Sequence, residues 1–380
     1  MIPRTVFTSE HELFRSSVGK FLEVEAQPYH AQWEKEGQID RKLWNKAGDQ
    51  GFLSPTVSEE YGGVGADFRY NAIVVEEVAR AGLSGIGWSL HSDIAVPYIV
   101  KYGSEELKQK YLPRCISGEL VMAIAMTEPG TGSDLQNIKT TAVLDGDDYI
   151  VNGSKTFITN GQQADLVIVV AKTDPGAAGK GISLFLLEAD MPGFSKGQNL
   201  EKIGMKAQDT SELFFQDVRV PKENLLGEDG KGFVYLMQEL PQERLSVALY
   251  AMASAESALE QTISYVKERT AFGKTISTFQ NTQFKLAEMD TDITSARVFI
   301  DRCLELHCDA KLDVPTAAKA KLLSTELQCR VMDECLQLFG GYGYMWEYPI
   351  ARAWADSRVQ RIYAGTSEIM KLIISRSLLD

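Results

Sequence analysis

Thr140-Thr141-Ala142-Val143-Leu144-Asp145-Gly146-Asp147-Asp148-Tyr149-Ile150-Val151-Asn152-Gly153 alternates β-forming runs with turn residues. Two short β-rich runs, 140–144 and 149–151, flank Asp145-Gly146, and Asn152-Gly153 follows the second. Asp-Gly and Asn-Gly tolerate the left-handed backbone that tight strand-to-strand turns demand. Comparable runs follow at 166–171, 182–187 and 213–220, again punctuated by Gly and Asp. The spacing predicts an antiparallel barrel or sandwich over 122–228.

On either side the apolar period changes from strand-like to helical. Before 121, Ser9-x-x-Glu12 reads as a capping box opening a helix with Leu13, Phe14, Val18, Phe21 and Leu22 on one face. Segments 68–81 and 105–116 are amphipathic at helical spacing. Gly62-Gly63-x-Gly65 has the look of a phosphate loop, but no strand precedes it and no Gly-Lys-Ser/Thr follows, so it reads as a turn. From Gly232 onward Leu245, Leu249, Met252, Leu259, Ile263 and Val266 recur on one helical face. Further helices are expected at 278–307, 314–341 and 347–378, which makes four and predicts a bundle. The fold class is therefore α+β: an N-terminal helical domain (1–121), a middle antiparallel β-barrel or sandwich (122–228) and a C-terminal four-helix bundle (229–380). Strand and helix do not alternate, and neither G-x-G-x-x-G nor a Walker loop occurs, which excludes a Rossmann unit.

Bulk properties narrow the function. At 380 residues, 44% apolar and 24% charged, the chain has the composition of an ordinary globular protein with two or three packed units. No apolar run approaches the ~20 residues of a membrane helix. A formal charge of −13 argues against a nucleic-acid partner, while leaving room for a local basic pocket. The five cysteines are scattered without C-x-x-C spacing, which reads as reduced thiols. Cys303, His307 and Cys308 lie in a helical pattern without a fourth ligand, so no metal is expected. The first residues show no basic-then-apolar signal. The expected location is the cytoplasm, or the mitochondrial matrix only if a transit peptide was removed.

Two stretches of the β region carry chemistry. Ala125-Met126-Thr127-Glu128-Pro129-Gly130-Thr131-Gly132-Ser133-Asp134 is a strand-to-loop transition able to bring N–H groups and hydroxyls against a polar ligand, or else a plain Gly-rich turn. Lys155-Thr156-Phe157-Ile158-Thr159-Asn160-Gly161 offers an aromatic face with a hydroxyl two residues on. That suits a flavin ring, and equally a core phenylalanine.

Together, at this spacing and in this domain order, the two motifs resemble the acyl-CoA dehydrogenase family. The resemblance runs on through Arg269-Thr270-Ala271-Phe272-Gly273-Lys274, Phe279-Gln280, Gln337-Leu338-Phe339-Gly340-Gly341-Tyr342-Gly343 and Gly365-Thr366-Ser367-Glu368, and 239–244 and 342–349 look like the long-chain branch. It implies FAD as cofactor, with Met126, Thr127, Gly132 and Ser133 along one side of the flavin. Phe157, Ile158 and Thr159 would pack on and hydrogen-bond the ring; many relatives have Trp at 157, so the indole N–H is lost here. Arg269, Phe272, Gln280, Gln337, Gly340 and Gly341 would hold the pyrophosphate and adenine across a subunit interface. Thr366 and Glu368 would contact FAD near the ring, and Ser133, Arg244 and Gly365 the acyl-CoA. A homotetramer (a dimer of dimers) and an electron-transfer flavoprotein are the partners implied.

Arg361-Ile362-Tyr363-Ala364-Gly365-Thr366-Ser367-Glu368-Ile369 resembles the family's C-terminal signature, in which many members carry their catalytic base as Tyr-Glu-Gly-Thr. Here Ala364 replaces that glutamate and keeps only its backbone N–H, which the resemblance assigns to the thioester carbonyl. Dehydrogenation still needs a base on the face of the acyl chain opposite the flavin. Glu243, in Leu240-Pro241-Gln242-Glu243-Arg244-Leu245, falls where long-chain and isovaleryl-type relatives place theirs. Pro241 predicts a kink or a fresh helix start there. The plainer reading of Glu243 is a first-turn helix acid favoured by the dipole. Glu368 and Asp356 are weaker candidates, for cofactor contact and for structure. Burial in an acyl pocket is expected to raise the base's pKa above ~4.3. The function implied is α,β-dehydrogenation of a medium- or long-chain acyl-CoA. The alternatives are a short branched (isovaleryl-type) substrate and a silent flavin or acyl-CoA binding protein.

Overall fold

Val18 and Leu22 are fully buried on the first helix, α1 (Ser9–Glu25), whereas Leu13 is 71% exposed and lies off the expected face. The computed structural model describes residues 2–379. The cap of α1 is Thr8 rather than Ser9: the Thr8 N–H donates to Nδ1 of His11, so an imidazole closes the reciprocal pair one residue early. α2 (His30–Glu36), α3 (Lys42–Asp49), α4 (Phe68–Arg80), α5 (Val96–Tyr102) and α6 (Glu105–Ile116) complete the N-terminal helices. A π-helical turn, Leu90–Ala95, leads into α5. Trp33, Trp44 and Trp88 anchor a core shared by α1 to α4.

The middle region is one seven-stranded sheet: β1 (Met122–Ala125), β2 (Thr141–Asp145), β3 (Asp148–Thr159), β4 (Leu166–Lys172), β5 (Ile182–Glu188), β6 (Phe194–Asn199) and β7 (Thr210–Pro221). Its order is β1-β4-β2-β3-β7-β6, with β5 also pairing β4. The pairings are antiparallel except β1–β4 and the single β2–β4 pair, which are parallel. The unbroken apolar run of β4 follows from burial on both faces. Leu166, Ile168 and Val170 pack under α5 and α6, while Val167, Val169 and Ala171 face the core with Val151 and Phe185. Burying each such side chain is worth ~1.5–3 kcal/mol, so a charge at Ile168 would undo that layer. β6 (Phe-Ser-Lys-Gly-Gln-Asn) is an edge strand whose polar sequence gives no β signal.

The C-terminal helices are α7 (Gly232–Glu268), α8 (Gln280–Cys308) and α9 (Val314–Phe339), followed by α10 (Pro349–Ser357) and α11 (Ser367–Leu379). A small hairpin, β8 (Thr270–Ala271) with β9 (Lys274–Thr275), joins α7 to α8. The three long helices share a core through Leu249, Met252, Ile300 and Val331. The helix expected at 347–378 is broken, because Ala364 (φ 51°) and Gly365 (φ 97°) are left-handed and cannot continue it. α7, in turn, runs through Pro241 without restarting, so the fresh start expected there is absent. The helices are tied across the chain by Glu76, which accepts from Arg4 and Arg297, while Arg297 also donates to Glu256. Among the described residues no helix is long and apolar enough to cross a membrane.

Candidate active site

Glu243 sits well inside α7 and is only 4% exposed, which excludes the first-turn surface acid as its description. Its Oε1 accepts from the Tyr98 hydroxyl of α5 at 3.0 Å. Burial pushes the carboxyl up to about 7; the Tyr98 bond and the Arg244 charge pull down, and Glu239 pushes up again. Glu239, one turn earlier on α7, is itself 3% exposed, bonded to Lys101 Nζ at 2.6 Å and to the Tyr102 hydroxyl at 2.7 Å. Tyr98 and Tyr102 thus face Glu243 and Glu239 as two rungs between α5 and α7. A carboxyl poised near neutrality and shielded from water is suited to abstract a proton from carbon.

The residues flanking Glu243 are also held. Gln242 donates to the Asp93 carbonyl of the π-helical turn at 2.6 Å, and its Oε1 lies 3.1 Å from His307 Nε2. The Asp93 carboxyl, buried and pushed up to about 7, accepts from Asn71 and Ser89. His307 therefore serves packing next to the site. Among the described residues no cluster of His, Cys, Asp or Glu is placed to hold a metal ion.

Arg244 is buried, its guanidinium brought below its ordinary range by burial against the opposing pull of Glu243, and its Nε has no hydrogen-bond partner among the described residues. It reaches the left-handed turn after α10: a methyl built on Gly365 would lie 3.8 Å from Arg244 Nη2. The Gly365 carbonyl accepts from Lys321 Nζ at 2.6 Å, a buried amine lowered to about 8 by desolvation and by Arg244. Among the described residues the Ala364 N–H has no acceptor, so it is free to donate to a ligand. Thr366 caps α11, its Oγ1 accepting from Ile369 N at 3.3 Å, and Glu368 is exposed in the first turn. Asp356 is half-buried and accepts from the Met205 N–H, a structural role.

The two β motifs are fastened to each other. Thr156 N donates to Thr127 O at 2.9 Å, and Lys155 Nζ donates to Met126 O at 3.0 Å and to Glu128 Oε1 at 2.9 Å. Glu128 also accepts from the Thr140 and Lys139 N–H groups; burial raises its carboxyl, but Lys155 and these donors outweigh burial and lower it. This buried pair pins the Met126–Ser133 loop, in which Gly132 and Ser133 are exposed. A bulge in β3 between Lys155 and Ile158, with Phe157 at φ 59°, turns the Phe157 ring outward. It is 67% exposed, while Ile158 is buried and Thr159 half-buried. A bare aromatic face beside a pinned, Gly-rich loop fits a flat ring system.

The second set lies at one end of the bundle. Arg269, Gln337, Gly340 and Gly341 line a groove of about 500 Å³, with the Arg269 guanidinium 5.3 Å from the Tyr342 ring centre. Gly340 and Gly341 have open space where a Cβ would stand. Phe272, at the tip of the β8–β9 hairpin, is 96% exposed, and Gln280 is exposed at the start of α8. An exposed guanidinium beside bare backbone suits a diphosphate. Among the described residues no hydrogen bond joins this set to the β motifs. Tyr98, Glu239, Lys321 and the Glu128–Lys155 pair have no sequence signal as site residues; Glu128 and Lys155 at least stand within the two motifs.

Models of the acyl-CoA dehydrogenase family match in chain order: the N-terminal domain over residues 8–119, the middle domain over 123–218 and the C-terminal domain over 230–379. The chain is 55% identical to the long-chain specific acyl-CoA dehydrogenase, mitochondrial, of Sus scrofa, over 99% of this chain and 88% of that one. The crystal structure of acyl-CoA dehydrogenase from Geobacillus kaustophilus superposes with a TM-score of 0.97 at 56% identity, covering 99% of this chain and 100% of that one. The acyl-CoA dehydrogenase complexed with FAD from Bacillus anthracis superposes at 0.93 with 36% identity, over 98% of this chain and 68% of that one.

Proposed function

Because this chain belongs to the acyl-CoA dehydrogenase family, we propose that it desaturates a medium- or long-chain acyl-CoA to the trans-2-enoyl thioester, with Glu243 as base. The observation that carries this reading is the Glu243 carboxyl, buried, hydrogen-bonded by Tyr98 and raised to about 7. The 55% identity to a long-chain enzyme supports the substrate class.

Met126, Thr127, Gly132, Ser133, Phe157, Ile158 and Thr159 would hold the flavin ring of FAD. Arg269, Phe272, Gln280, Gln337, Gly340 and Gly341 would hold its diphosphate and adenine. Bound there, FAD supplies the hydride acceptor. Glu243 takes the α-proton, and the electron pair of that C–H bond moves toward the thioester carbonyl. The unengaged Ala364 N–H is the fixed donor for the charge that develops on the carbonyl oxygen. Lys321 holds the Gly365 turn that aims this N–H, and the Arg244 guanidinium lies beside that turn. Ser133, Arg244 and Gly365 would also border the acyl-CoA, and Thr366 and Glu368 the cofactor.

A second copy would complete the cofactor site in a homotetramer, each chain having units at 1–121, 122–228 and 229–380. An electron-transfer flavoprotein is the proposed electron acceptor. The test is anaerobic mixing with octanoyl-, palmitoyl- and isovaleryl-CoA. Wild type should bleach the flavin fastest with a straight chain. Glu243→Gln should keep bound FAD and thioester yet lose bleaching by ~10²-fold or more. Undiminished bleaching in that variant would reject the base assignment.

A further inference from the structure

The Glu243 carboxylate hangs from a flexible side chain on a helix, and a base of this kind must be aimed at a carbon acid within a narrow range of position. Only one donor fixes it among the described residues: the Tyr98 hydroxyl, at 3.0 Å on Oε1. Tyr98 is itself fully buried and held by the α5 wall, with Tyr102 one turn on and Val96 and Ile99 around it in the core. A buried phenol with a single partner is a rigid arm, because its ring has two torsions and both are set by packing.

We propose that Tyr98 is the positioning residue of the proton-transfer step: its hydroxyl orients the Glu243 carboxylate toward the substrate α-carbon. The inference rests on Glu243 being the base. The groups facing Glu243 come from two helices. From α5 there is Tyr98, with Lys101 and Tyr102 behind it on Glu239; from α7 there are Arg244 and Glu239. Lys101 and Tyr102 already occupy Glu239, so Tyr98 is left to Glu243 alone. A hydrogen bond donated to a carboxylate favours its charged form, and Tyr98 acts on Glu243 in that direction, against burial. Since the phenol keeps its own proton throughout, it holds the base without competing for the substrate proton; burial and Glu243 raise Tyr98 well above its ordinary range.

The experiment follows α-proton exchange in D2O by NMR, from pH 5.5 to 9, using the FAD-loaded enzyme and a 3-thiaacyl-CoA that exchanges without being oxidised. Glu243 takes the α-proton, the C–H electron pair is held as enolate, and a deuteron returns from the solvent-exchanged carboxyl. Tyr98→Phe should keep FAD and thioester binding, move the midpoint of the exchange profile up by about one pH unit, and lower the plateau by about tenfold. Replacing Tyr98 with 3-fluorotyrosine, a stronger donor of nearly the same volume, should move the midpoint down. An unmoved midpoint in Tyr98→Phe, with exchange abolished in Glu243→Gln, overturns the role of Tyr98 and leaves the base standing. Exchange that survives in Glu243→Gln overturns the base and the inference with it. Should Tyr98→Phe not fold, the fluorotyrosine protein decides: a lowered midpoint supports the role and an unmoved one rejects it.

Discussion

Replacing the proposed base should make this protein more stable, and only above a definite pH. Glu243 has an ordinary carboxyl value of 4.5 and is raised to about 7 in the fold, chiefly by burial. Between those values the folded chain holds a proton that the unfolded chain releases. Stability therefore falls as pH rises through that window, because ionising Glu243 inside the fold costs desolvation. At roughly 1.4 kcal/mol per pH unit, the full interval amounts to about 3 kcal/mol by pH 8. Glu243→Gln removes that cost while its amide oxygen can still accept from Tyr98. The variant should match wild type near pH 5 and gain up to about 3 kcal/mol at pH 8. With an unfolding entropy of about 0.8 kcal/mol per kelvin for a chain this long, the gain is up to ~4 °C in Tm. Thermal melts of both proteins, loaded equally with FAD, from pH 5 to 8.5 provide the assay. A difference that does not change with pH, or a wild type more stable at pH 8, would refute the argument that burial raises this carboxyl.

Other substitutions probe the parts around it. Lys155→Met removes the counter-charge of the buried Glu128 carboxylate, leaving it only the Lys139 and Thr140 N–H groups, and frees the Met126 carbonyl; the expected loss is about 3 kcal/mol, read by urea unfolding, with weaker FAD binding in a fluorescence titration. That loss should shrink below pH 5, where Glu128 can take a proton; an equal loss at all pH values would count against the pairing. Gly365→Ala puts a methyl 2.6 Å from Met370 Cε on a backbone at φ 97°; a destabilisation of about 1–3 kcal/mol and a raised KM for the thioester should follow. Flavin bleaching of wild type by a straight-chain thioester should rise with pH to a plateau above about 7, following ionisation of Glu243.

How much was legible varies by residue, for physical reasons. Periodicity located the run of β4, since burial on both faces demands continuous apolar side chains. It missed β6, an edge strand that needs only one partner and tolerates polar residues. It placed the helix cap at Ser9, because nothing in one dimension distinguishes a glutamate from the His11 ring that answers Thr8. Pro241 reads as a kink or a fresh start; α7 does not restart there, because one lost N–H is tolerated within a helix so well packed. Phe157 was visible as an aromatic, but only the β3 bulge turns it outward. Tyr98 left no signal, for an α5 tyrosine at apolar spacing looks like any other core side chain.

Which residues could take part is written along the chain: the change of period from helix to strand and back, the two β motifs, the loss of a carboxylate at 364 and its presence at 243. Such features are local, because turn chemistry, period and side-chain identity are written in consecutive residues. Tertiary structure decided which of them meet. It buried Glu243 and so raised its carboxyl, set Tyr98 on it from a helix 145 positions away in the chain, and left the Ala364 N–H, at a left-handed turn, without an acceptor among the described residues. Burial and hydrogen bonding between distant segments set proton affinity and orientation, and these arise only when the chain has closed on itself.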